Sequence, residues 1–216
     1  MIEIRIHGRG GQGAVVASKM LVTAAAKEGK KVQAFPVFGA ERRGAPVAAF
    51  ARLDDQKIRI HSEVYDPDCV IVLDPVLYKT VNVTAGLKEN GLILLNSSTP
   101  PDSYSFPGRF RIATVDASGI AFKHRLGSRT EPIVNTAILG AFARATGLIG
   151  MEALAETIRE SVPGKGKENE AVAREAYESV KIIEGAGPKG QGARIKQQER
   201  DRHLVTCYLK LGPSIS

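Results

Sequence analysis

The stretch from Ile2 to Gly29, IEIRIHGRGGQGAVVASKMLVTAAAKEG, constrains the fold of this chain more than any other. Ile2, Ile4 and Ile6 alternate with Glu3, Arg5 and His7, the period of a strand with one buried face. Gly8, Gly10 and Gly13 then satisfy G-x-G-x-x-G, with Gly11 as an additional glycine and Arg9 and Gln12 as the other members of the turn. From Ala14 the spacing changes. Val15, Ala17, Met20, Leu21 and Ala24 recur every three to four residues, so a helix follows, and Gly29 stops it. A strand that turns on glycine into a helix gathers backbone N–H groups at the positive end of a helix dipole, which suits an anion. The same turn also serves tight packing that binds nothing.

A dinucleotide site needs a second part, an acid about twenty positions on that holds the ribose hydroxyl. The second strand is expected at Lys31 to Phe35, and its end reads Gln33, Ala34, Phe35, Pro36, with no acid. Glu41 comes later, in a loop. Arg42 and Arg43 suit a 2′-phosphate, which keeps a stand-alone NADP-binding reductase open as an alternative. Another phosphate, or a close protein contact, also remains open.

The chain has 216 residues, 43% hydrophobic and 25% charged, enough for one globular domain with its own core. No run of eighteen apolar residues indicates a membrane span. The sequence opens directly on a strand, without a signal-peptide pattern, so the cytoplasm is the expected location. Cys69 begins the apolar run CVIVLD and reads as a buried core thiol. A cubane cluster takes four cysteines, and this chain has two, Cys69 and Cys207. Two cysteines and four scattered histidines also argue against zinc, so no metal site is expected. The net charge is +7, of which residues 185–216 carry +4 from six Lys/Arg against two Asp/Glu. The remainder is only mildly basic, with no stripe of basic and aromatic residues for nucleic acid.

Strand and helix patterns alternate along most of the chain. VAAFARLDDQKIRI reads as two strands joined at Asp54-Asp55-Gln56, CVIVLDP as a strand buried on both faces, and LKENGLILLNSST as a short helix followed by a strand. RFRIATVDA adds a strand. Helices are expected at Ser118 to Leu126, Ile133 to Thr146, Met151 to Ser161 and Glu168 to Ile183. The expected architecture is a three-layer α/β/α domain over residues 1–184, with a mostly parallel sheet carrying an antiparallel hairpin. Residues 185–216 read as a Gly- and charge-rich linker and tail. In such a sheet ligands gather at the carboxyl ends of the strands. Gly8 to Gly13, Asp74, Asn96 to Thr99 and Asp116 all follow expected strands and fall on that rim.

FGAERRGAPVAAFARL, Phe38 to Leu53, sets Glu41, Arg42 and Arg43 between two glycines. Two adjacent guanidinium forks suit phosphate or carboxylate, while a solvated turn with an internal Glu–Arg pair is the bland alternative. GRGGQGAVVAS, FGAERRGAPVAAFARL, CVIVLDP and EPIVNTAILGAFARATG occur in this order over Met1 to Ile183. Together they resemble the gamma subunits of the 2-oxoacid:ferredoxin oxidoreductases, nearest the pyruvate and 2-ketoisovalerate branch.

The resemblance implies a multi-subunit enzyme that oxidatively decarboxylates a 2-oxoacid with coenzyme A to acyl-CoA, carbon dioxide and reduced ferredoxin. It implies partners: alpha and beta subunits holding thiamine pyrophosphate and Mg, iron–sulfur clusters in the beta and ferredoxin-like delta subunits, and external ferredoxin. It gives this chain no catalytic residue and no cofactor bound alone, but a role in covering the active site and positioning coenzyme A. The residues it points to are Gly8, Arg9, Gly10, Gly11, Gln12, Gly13, Glu41, Arg42 and Arg43, facing coenzyme A or a neighbouring subunit. A ligand-free docking subunit is the non-enzyme alternative.

Overall fold

A computed structural model describes residues 1–36, 45–128 and 130–186. In chain order the elements are β1 (Ile2–Arg9), α1 (Ala14–Lys27), β2 (Lys31–Pro36), β3 (Pro46–Asp54), β4 (Cys69–Val72), α2 (Leu77–Thr80), β5 (Leu92–Asn96), β6 (Phe110–Val115), α3 (Ala117–Lys123), α4 (Asn135–Thr146), α5 (Met151–Ser161), α6 (Gly166–Ser179) and β7 (Lys181–Ala186). The strands form one sheet in the order β2-β3-β1-β4-β5-β6-β7. β1, β4, β5 and β6 are parallel neighbours. β3 runs antiparallel between β1 and β2, and β7 antiparallel to β6.

Alternation in β1 decides which side of the sheet is helical. Ile4 and Ile6 point to the large core shared with Ala49, Ala51 and Leu53 of β3 and with α1, α4, α5 and α6. The alanines explain the closeness of this packing: Ala17, Ala24 and Ala25 of α1 are fully buried against the small residues of β3. Gly140 of α4 plays the same part against α6, where a Cβ would stand 1.9 Å from the Ala173 carbonyl oxygen. The opposite face carries Val70, Val72, Ile93, Leu95 and Ile112, covered by Leu77, Val83, Tyr104 and Phe106 from α2, coil and a short 3-10 turn at Pro101–Ser103.

On that second face β1 and β3 present buried cations. Arg52 is 1% exposed; its Nε–H donates to Glu3 Oε1 at 2.8 Å, Nη1 to Gln33 Oε1 at 3.0 Å and Nη2 to the Ser62 carbonyl at 2.8 Å. Arg5 donates from Nη2 to the carbonyls of Val83 and Ala85, and from Nε to His7 Nε2 at 3.1 Å. Each guanidinium therefore holds a coil segment onto the sheet by satisfying carbonyls that no strand pairs.

Three sequence expectations are corrected. The hairpin is β2 with β3, while residues 57–60 are not a strand; Lys31↔Asp54 through Pro36↔Ala49 supply the ladder. The segment LKENG is turn rather than helix. The last helix stops at Ser179, and residues 181–186 pair with β6 as an edge strand. Val180 and Ile183 continue the helical spacing of Ala176, so periodicity alone cannot reveal that change.

Gly140→Ala should lower stability by about 1–3 kcal/mol, because the clash with Ala173 outweighs the better helix propensity of alanine; a urea titration measures it, and an unchanged midpoint would contradict the close α4–α6 contact. A second prediction concerns His7. Burial first, and then the Arg5 charge, push its pKa down to about 4. In the unfolded chain it takes up a proton near its ordinary 6.5, so between these values the unfolded state binds more protons. Stability should therefore be full above about pH 6.5 and fall by about 3 kcal/mol on descending to pH 4. His7→Gln keeps an acceptor for Arg5 and should flatten that limb; melting curves from pH 4 to 7 with an unaltered slope would refute the assignment.

Candidate functional site

The carboxyl ends of β1, β4, β5 and β6 open on one rim, as parallel strands require. After β1 the chain enters the glycine turn. Gly11 and Gly13 have φ of 97° and 77°, the left-handed region in which side chains are strained. Gly8 is needed for another reason: a Cβ there would lie 3.2 Å from Leu73 Cδ1 and 3.3 Å from Ala14 Cβ, so its absence lets α1 approach β4.

Polar side chains then fix the turn. The Gln12 side-chain oxygen accepts from Arg9 N–H at 2.8 Å, and its amide donates to Asp74 Oδ2 at 3.2 Å. Arg9 Nε pairs with the same carboxylate oxygen at 2.9 Å. Asp74 Oδ1 accepts from Val76 N–H at 2.9 Å. One carboxylate following β4 thus holds both polar members of the turn following β1. Gly10 N–H donates to the Ala45 carbonyl at 2.9 Å, immediately before Pro46 of β3 pairs with Arg9.

Glu41, Arg42 and Arg43 lie outside the described residues. On either side of them, β2 ends at Pro36, and Ala45 accepts from Gly10 N–H. Of the other rim residues, Asn96 donates to the Leu73 carbonyl at 2.8 Å and to Ser118 Oγ at 2.9 Å, and accepts from Ser118 N–H at 3.2 Å. Asp116 caps α3, accepting from Gly119 N–H at 2.8 Å. These two organise the rim and are occupied in doing so.

A residue that sequence reasoning did not single out stands beside the turn. Asn135 opens α4, and its Nδ2 is 3.0 Å from the position of a Cβ on Gly13. The starts of α1 and α4 therefore meet here, and neither helix has an acid in its first turn. The signal was an Asn-Thr pair opening the otherwise apolar run VNTAILGAF. The ribose acid of a dinucleotide fold belongs to the strand beside the first. Here antiparallel β3 fills that place and brings its beginning, Pro46, to the rim. Cys69 is buried, and burial pushes its thiol up to about 12. Two grooves of about 460 and 410 Å³ lie at the far end of the sheet, lined by Met1, Asp54 and residues 30–33 and 56–60. They share no residue with the rim.

Residues 3–179 match the family model of the pyruvate ferredoxin/flavodoxin oxidoreductases. The chain belongs to that family. It is 52% identical over 190 residues to the common gamma subunit of the pyruvate/ketoisovalerate oxidoreductases of Thermococcus kodakarensis, covering 85% of this chain and all of that one. The crystal structure of the pyruvate oxidoreductase subunit PORC of Thermotoga maritima is similar, with a TM-score of 0.70 and 38% identity over 85% of this chain and 98% of that one. A third likeness is to 2-oxoglutarate:ferredoxin oxidoreductase of Magnetococcus marinus, solved with 2-oxoglutarate, coenzyme A and succinyl-CoA bound. Its TM-score is 0.64 at 21% identity, over 82% of this chain and 30% of that one, and it speaks to the fold. The chain is a gamma subunit of a pyruvate/ketoisovalerate:ferredoxin oxidoreductase, as its motifs led one to expect. Among the described residues no helix is long and apolar enough to cross a membrane.

Asp74→Ala should release Arg9 and Gln12 together and cost about 1–2 kcal/mol of stability, with faster amide exchange at Gly10 to Gly13. Unchanged exchange there would show that the glycines alone hold the turn.

Proposed function

We propose that this gamma subunit covers the thiamine active site of its complex and positions coenzyme A through the rim built on the glycine turn. The carrying observation is the meeting of two helix starts at Gly13 and Asn135, with Ala45, two residues after Arg43 in sequence, hydrogen-bonded to Gly10 of the same turn. Coenzyme A brings a pyrophosphate and a 3′-phosphate. Oriented N–H groups and guanidinium forks are the donors such groups take. The chemistry of decarboxylation belongs to the thiamine cofactor in the alpha and beta subunits. This chain supplies no nucleophile and has no activity alone. Its residues bind, orient and exclude water.

Apolar side chains at the same end favour a second reading, in which the rim seats a neighbouring subunit. Val16 on the first turn of α1, Val76 after Asp74 and Ile133 before α4 are all exposed. Arg42 and Arg43 would then meet carboxylates of that neighbour.

Arg42→Ala and Arg43→Ala in the reconstituted enzyme separate the two. If coenzyme A is the partner, the subunits still assemble and KM for coenzyme A rises roughly ten- to a hundredfold, the loss of one charge-assisted contact. If a subunit is the partner, assembly weakens instead. Normal assembly together with normal coenzyme A kinetics in both variants would leave the loop a solvated turn.

A further inference from the structure

Residues 57–60, KIRI, alternate in the way of a strand yet pair with none. What holds them is buried Arg52. Its Nη1 donates to the Ile60 carbonyl at 3.5 Å, and its Nη2 to the carbonyls of Ser62 at 2.8 Å and Glu63 at 3.2 Å. Lys57 and Ile58 stand between the two grooves at the far end of the sheet and line both, with Lys31 and Gln33 in one and Arg59 and Ile60 in the other. The charges that line these grooves do not balance. Asp54 is paired with the Met1 ammonium at 3.3 Å and Lys30 with Asp55 at 2.7 Å. Lys31, Lys57 and Arg59 are exposed and form no hydrogen bond or ion pair among the described residues. Met1 and Ile60 are exposed beside them. Cations with no acid to relieve them, interleaved with exposed apolar side chains, suit a partner that is both acidic and apolar.

We propose that this far end is a docking surface for an acidic segment of another protein, with apolar residues between its carboxylates. The carboxylates meet Lys31, Lys57 and Arg59, and the apolar side chains enter the grooves beside Ile58 and Ile60. Charge decides the occupant. Residues 185–216 of this chain are themselves basic, six Lys/Arg against two Asp/Glu, and are repelled by the same cations. A second copy related by a twofold axis would set like charges together. A phosphate polymer would meet the cations but leave Ile58 and Ile60 unused, and no aromatic ring lines the grooves for a base to stack on. Because Arg52 already fixes the segment at Ile60, little ordering is needed on binding. The surface shares no residue with the rim, so the assignment is independent of the coenzyme A reading.

The test is fluorescence anisotropy of a labelled octapeptide of alternating Glu and Val, titrated with the full-length subunit at low salt, where exposed charges are least screened. Lys57→Glu combined with Arg59→Glu lies on exposed coil and should weaken binding roughly tenfold or more, as two attractions become repulsions. Lys19→Glu combined with Lys167→Glu makes the same change of net charge at exposed sites elsewhere and should alter the affinity by less than about twofold. Ile60→Ser should weaken the peptide roughly threefold and leave the binding of an oligothymidylate unchanged. Equal losses in the two charge-reversed proteins would reduce the effect to net charge and overturn the proposal. So would a peptide that does not bind the unaltered subunit, or one whose affinity neither reversal lowers. An oligothymidylate that binds more tightly than the peptide, and loses that affinity with Lys57 and Arg59, would make this a surface for phosphate polymers and overturn it as well.

Discussion

The ladder between β1 and β3 is the contact on which the rest of this subunit depends. Its register runs through eight pairs, from Ile2↔Leu53 to Arg9↔Pro46, and places an antiparallel strand where a nucleotide-binding sheet has its second parallel one. Because β3 enters at the rim, it brings Ala45 to the glycine turn, where Gly10 N–H donates to the Ala45 carbonyl. Because its inward residues are alanines, α1 can lie close to the sheet, and its start is brought near that of α4. Because its outward residue is Arg52, the coil between β3 and β4 is bound to the opposite face. One pairing thus sets both the shape of the rim and the cover of the sheet behind it.

Electrostatics reinforce the division of the molecule. The second face of β1 carries a positive guanidinium beside a histidine that burial keeps neutral. This arrangement is structural, since Arg5 is spent on carbonyls of the 83–85 segment. At the rim the cation Arg9 is neutralised by Asp74, and the Thr136 N–H of α4 is taken by Asn135 Oδ1, while the N-terminal N–H groups of a helix as a class lack intrahelical acceptors. An anion that docks there meets dipoles held in place by packing, which need no rearrangement on binding.

Much of this was legible in the sequence, and the pattern of what was not is informative. The strand, turn and helix from Ile2 to Lys27 are local events, so alternation, glycine and 3.6-residue spacing suffice to read them. The parallel strands β4 and β5 announce themselves as apolar runs because both of their faces are covered. Pairing across the sheet is not local. Nothing in KIRI or in KIIEGA says which of them finds an edge, and the structure gives the edge to the second. Burial of Arg5 and Arg52 was equally hidden, since charged residues on alternating positions normally face water. At the rim the glycine turn and Asp74 were readable as candidates following strands. Asn135 was not, because its importance comes from a neighbour more than a hundred residues earlier, Gly13.

The central claim is that the starts of α1 and α4 together form the surface that meets coenzyme A. Amide hydrogen exchange of the reconstituted complex, with and without saturating coenzyme A and without 2-oxoacid, tests it most directly. The account predicts protection on adding coenzyme A at Gly10 to Val16 and at Asn135 to Ala137, with no change on the far strand ends around Lys31 and Lys57. Protection confined to other subunits, with both helix starts exchanging as before, would contradict it.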